Sequence, residues 1–167
     1  MFQCGDRVVY AGHGVCKILE LEYKRIDKKK IEYYVLQPLS HPETRFYVPT
    51  QNQVAVAKMQ SIVTKEEIDN LLAMVADSSP CWIEDENQRK QRYRELITSG
   101  DRKALICMMR AAYQHKLSQM SAGRKFHLCD ENFLRDAERL LNSEFGLVLN
   151  VDENDVAEYI KSHLNIE

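Results

Sequence analysis

No stretch of this sequence approaches the ~20 consecutive apolar residues that a membrane-spanning helix needs. Its opening, MFQCGDRVVY, lacks a basic start followed by an apolar run, so no secretory leader is expected. The five cysteines (Cys4, Cys16, Cys81, Cys107 and Cys129) are odd in number and no two form a C-x-x-C. That pattern predicts reduced thiols in a cytoplasmic protein rather than a disulfide framework. The phosphate-cradling G-x-x-x-x-G-K-[ST] is absent, and Gly12-His13-Gly14 is too short for a dinucleotide fingerprint and stands between strand-like runs. His127 and Cys129 are two soft ligands where a structural zinc site wants four at paired spacing. His13, His115 and Cys107 could form a nucleophile and base only through an accident of tertiary structure. The sequence therefore predicts no metal, no cofactor and no enzymatic activity. A composition 44% hydrophobic and 29% charged places it among soluble globular proteins.

What is present divides into two parts. In the first, Arg7-Val8-Val9-Tyr10 is a short β-rich run, and Gly12 and Gly14 after it supply a tight turn. Leu19, Leu21 and Tyr23 alternate with Glu20, Glu22 and Lys24, which predicts an apolar face turned inward and a charged face outward. Asp27-Lys28-Lys29-Lys30 reads as a polar turn and Ile31 to Leu36 as the returning strand. Arg45-Phe46-Tyr47-Val48 is another strand, stopped by Pro49, and Val54-Ala55-Val56 a last short one. About five short strands in about sixty residues, with no helix between them, predict a small antiparallel barrel.

The second part reads as helices. Thr64 and Glu67 form a capping box, with Val63 able to staple onto Ile68, and Ile68, Leu71, Leu72 and Val75 make an apolar stripe. Asp77-Ser78-Ser79-Pro80 reads as a linker. A charged helix from about Glu84 to Ser99 turns Tyr93, Leu96 and Ile97 inward; Gly100 then stops it and Asp101 caps the next. That helix, from Arg102 to about Met120, carries Ile106, Met109, Tyr113, Leu117 and Met120 at helical spacing. Two more follow, from about Glu131 to Val148 and from Asp152 onward. The fold class expected is α+β: a small antiparallel barrel at 1–62, a connecting helix and linker at 63–80, and an all-α bundle at 81–167.

Charge is unevenly spread. Gln88 to Lys125 holds ten Lys/Arg and two Asp/Glu, whereas Phe126 to Glu167 holds three and ten. Two solvated faces that attract each other would account for this; so would a basic surface for a polyanion.

The opening Phe2-x-x-Gly5-Asp6-x-Val8-Val9-Tyr10-x-x-His13-Gly14-Val15 resembles that of the CarD/CdnL regulators and of the polymerase-interacting domain of transcription-repair coupling factors. Tyr33-Tyr34-Val35-Leu36 and Tyr47-Val48-Pro49 are similar to later strands of that domain. Arg92-Tyr93-Arg94-Glu95, Ser99-Gly100-Asp101, and Glu138-Arg139-Leu140-Leu141 with Glu144 resemble the helical domain of the stand-alone members. The resemblance implies a Tudor/SH3-like barrel that binds the β-subunit lobe of bacterial RNA polymerase. It also implies a helical domain that lies on upstream promoter DNA, without reading sequence, and affects open-complex stability. Lys24, Arg25, Arg45 and Tyr47 fall where the family's barrel meets polymerase. Arg89, Lys90, Arg92 and Arg94 are candidate phosphate contacts, and Lys103 and Arg110, seven residues apart, share a helix face that could extend the patch. Trp82 stands eleven residues before Tyr93, beyond the acidic Glu84-Asp85-Glu86, where family members carry a DNA-wedging tryptophan just before the motif. A wedge and a hydrophobic plug are both open to it. The competing reading is a barrel adaptor for a protein partner, with a helical bundle that touches no DNA.

Overall fold

The computed structural model describes residues 2–79 and 82–166; Pro80 of the expected linker and Cys81, the expected start of the helical domain, lie outside them. The chain divides into two compact units, 1–62 and 63–167.

In the first unit, β1 (Arg7–Tyr10), β2 (Gly14–Ile26), β3 (Lys29–Pro38), β4 (Phe46–Pro49) and β5 (Met59–Ser61) form one antiparallel sheet in the order β4-β3-β2-β1-β5. β2 and β3 make a long hairpin turned by Asp27 and Lys28, both at positive φ (49° and 66°), the two-residue turn whose twist matches paired strands. The core lies under the sheet, where Val8, Cys16, Ile18, Tyr34, Leu36, Val48 and Met59 pack together.

Three expectations are corrected here. The expected barrel is an open sheet: β4 and β5 are edges, each paired on one side among the described residues. The predicted strand at Val54-Ala55-Val56 is instead the short helix α1 (Gln53–Val56), because the Asn52 side chain accepts from the Ala55 N–H and starts a helical turn. β5 follows it. The inward stripe Leu19-Leu21-Tyr23 is broken by a β-bulge between Ile18 and Glu20. The extra residue puts Ile18, opposite Leu36, and Leu21, opposite Tyr34, on one face although they are three apart. Ile18 takes the buried place, Leu19 is half-buried, and Leu21 and Tyr23 run out along the hairpin, 43% and 55% exposed.

The second unit contains α2 (Lys65–Ala76), α3 (Glu86–Ser99), α4 (Arg102–Ser121), α5 (Leu128–Leu149) and α6 (Glu153–His163). α5 packs against each of the other four. Phe145 and Leu141 on α5, Ile106 and Met109 on α4, and Ile160 on α6 are fully buried at the centre. The segment 63–80, expected as a connection, supplies core: Ile68, Leu72 and Val75 of α2 are fully buried in the same cluster. The capping box is formed, with the Glu67 N–H donating to Thr64 Oγ1 and the Thr64 N–H to Glu67. Gly100, at φ 66°, ends α3 in the left-handed conformation, and Asp101 caps α4 at once through the Ala104 N–H. On α4 the buried stripe ends at Tyr113; Leu117 and Met120, which continue the helical spacing, are exposed and line a surface hollow with Glu158, Lys161 and Ile166.

Candidate interaction surfaces

On the sheet unit, Lys24 and Tyr47 come together. Cross-strand partners share a face, and the pairs Lys24–Ile31 and Val35–Tyr47 put both residues on the same side. The Lys24 ammonium sits 3.2 Å from the Tyr47 ring centroid, a cation–π contact at the surface, with Glu22 3.9 Å away. Tyr33 meets Tyr47 edge to face. Arg45, at the base of β4, donates from Nη1 to the carbonyls of Pro42 (2.6 Å) and Thr44 (2.9 Å), so its side chain fixes the loop before β4 while remaining exposed. Arg25 is exposed opposite Lys30 and, one residue on from Lys24, projects from the other face of the hairpin.

Part of the basic segment of the helical unit is used inside the fold. Arg89 is 4% exposed and forms a bidentate pair with Asp130 of α5, 1% exposed, at 2.8 and 2.9 Å. Its Nη1 also donates to the carbonyls of Ile83 and Glu84. The carboxylate holds the guanidinium's pKa above its ordinary value, with burial opposing. This corrects the expectation of a phosphate contact at Arg89: a buried, fully engaged guanidinium has no free edge. Arg110 is corrected likewise. Its Nη1 donates to the carbonyls of Val75 (2.5 Å) and Ser78 (2.6 Å), satisfying the C-terminal end of α2. Lys90 pairs with Glu86 one turn earlier, and Arg92 with Glu95 at 3.4 Å where both are exposed. Arg94 and Lys103 are exposed.

Trp82 is half-buried and stacked flat on His115 of α4, with ring centroids 3.8 Å apart and planes 7° from parallel. The Arg89 guanidinium lies 4.4 Å from its ring centre, making a three-layer stack of Arg89, Trp82 and His115. The His115 pKa is lowered from 6.5, first by burial and then by the Arg89 charge, with Glu84 and Asp130 pulling the other way. Trp82 thus pins the segment before α3 onto α4.

Two residues that sequence reasoning did not single out as partners prove central. Asp130 holds Arg89. Glu144, 1% exposed on α5, binds Arg102 of α4 at 2.7 and 2.8 Å and accepts from the Val63 N–H at 3.0 Å. The only signal for them was the excess of acid after Phe126 opposite the basic segment before it. Among the described residues no helix is long and apolar enough to cross a membrane, and no three His, Cys, Asp or Glu side chains converge as a metal site.

The N-terminal unit is thus an open antiparallel sheet with a β-bulge in β2 and a cation–aromatic pair at its surface. Residues 2–63 match the family model of the CarD-like/TRCF RID domain, a span that coincides with the sheet unit. That family is a domain type that interacts with the β subunit of RNA polymerase.

Proposed function

We propose that the chain is a bacterial, cytoplasmic and non-enzymatic transcription regulator. Its N-terminal unit binds the β-subunit lobe of RNA polymerase and its helical unit contacts upstream promoter DNA, modulating open-complex stability. The match of residues 2–63 to the CarD-like/TRCF RID domain carries this reading. Tyr47, under the Lys24 ammonium, and Arg25 and Arg45 nearby in sequence supply aromatic and guanidinium groups of the kind enriched at protein interfaces. The DNA contact rests on Arg92, Arg94 and Lys103, which are exposed, together with Lys90 at the margin. Such contacts give affinity and orientation without a sequence code.

The adaptor reading, without DNA, draws support from a specific observation. Arg89–Asp130, Arg102–Glu144 and Lys116–Glu131 consume basic charges within the fold. The readings separate in a polymerase complex on fork-junction DNA. Under the DNA reading, replacing Arg92, Arg94 and Lys103 together by Ala weakens binding on unrelated promoters alike. It also flattens the dependence on salt by roughly 0.9 log units for each phosphate no longer neutralised. A folded triple variant with unchanged affinity and salt slope would leave the adaptor.

A further inference from the structure

A groove of about 450 Å³ opens along the surface of the helical unit where α3 and α4 lie side by side. Its lining is mainly apolar: Leu96 and Tyr93 come from α3, Ala104, Cys107 and Met108 from α4, and Ile83 from the segment before α3. Arg92, Lys103 and Arg110 also line it, and Asp101 is the one carboxylate among its lining residues. Asp101 is already occupied, accepting from the Ala104 N–H at 2.9 Å as the cap of α4. Among the described residues Arg92 pairs with the exposed Glu95, a contact that solvent screens. Arg110 spends Nη1 on the end of α2, while its buried Nε has no acceptor among the described residues.

An apolar trough of ligand size with two exposed cationic side chains, Arg92 and Lys103, and one committed carboxylate selects by charge as well as by grease. We propose that this groove binds a small amphipathic carboxylate, its hydrocarbon part along Leu96, Ala104 and Met108 and its head group beside the exposed Lys103 and Arg92. A neutral molecule of the same shape would bury the same apolar surface but leave the cations unanswered. Arg92 and Lys103 are also the residues proposed to meet phosphate, so occupation of the groove is expected to weaken the DNA contact.

The test is a titration of the full-length, 15N-labelled protein with decanoate and, separately, with decanol, followed by amide chemical shifts. It needs neither polymerase nor DNA, so its failure is distinct from failure of the regulator reading. The expected result is saturable shifts at Leu96, Ala104 and Met108 with decanoate, and weaker binding of decanol. Lys103→Glu should remove the advantage of decanoate over decanol. This variant places a carboxylate in the first turn of α4, where helices favour one, so it is expected to fold. Ala104→Trp, which fills the trough, should abolish the shifts from both probes. The proposal is overturned by absence of saturable shifts at those amides, by equal affinity for the two probes, or by a Lys103→Glu variant that keeps the preference.

Discussion

Arg89 shows why a basic run is not a basic surface. The Asp130 carboxylate and two backbone carbonyls converge on its guanidinium, and Trp82 covers its face. Removing one member of a buried pair leaves the other charged and without its partner, which typically costs ~3–5 kcal/mol, whereas replacing both by apolar groups of similar volume is often neutral or stabilising. Arg89→Ala should therefore lower the unfolding free energy in urea by that amount. Arg89→Met with Asp130→Leu should recover most of it. Equal losses in the single and double variants would show that the pair's surroundings, and not the orphaned charge, set the cost.

His115 offers a test of the stacked triad through pH. Its imidazole titrates below the ordinary 6.5 in the folded protein because burial, helped by Arg89, disfavours the charged ring. The unfolded chain binds the proton more readily. The stabilisation is therefore fully present above about 6.5 and is lost as pH falls from there through the lower folded value. His115→Phe keeps a flat ring against Trp82 and removes the proton. The melting temperature of the variant should fall less than that of the wild type between neutral and mildly acidic pH. Parallel curves would mean that the stack is indifferent to the charge on the ring.

Among the elements, helix boundaries were the most legible in the sequence. Thr64 with Glu67, Gly100 followed by Asp101, and Asp152 all act where their chemistry places them, because capping is a contact between residues two to four apart. Thr64→Ala should cost about 1 kcal/mol of stability, read by urea denaturation of the full chain. No loss would mean that Glu144, which already holds the neighbouring Val63 N–H, fixes this helix start unaided. The strands were less legible. A single extra residue at Ile18/Glu20 reverses which side chains face inward, and nothing in a strict alternation announces a bulge. Val54-Ala55-Val56 has strand composition, yet one Asn52 hydrogen bond turns it into a helix.

At the scale of the whole molecule, the order of a strand-rich part before a helical part could be read from residue periodicity. The fate of individual charges could not. Asp130 lies 41 residues from Arg89 and Glu144 lies 42 from Arg102, so only the folded chain brings these partners together. The N-terminal unit fared differently. Its recognisable opening motif and the span of its family match coincide with one compact unit. The most direct measurement is binding of purified RNA polymerase β lobe to the full-length protein and to a fragment ending at Ile62, at low and moderate salt. Both should bind with similar affinity. Charge reversal of Arg25 and Arg45 to Glu should slow association most strongly at low salt, as loss of electrostatic steering requires. A folded fragment that leaves the lobe free while the full chain binds it, or full-length protein that does not bind the lobe at all, would contradict the assignment of the N-terminal unit as the polymerase contact.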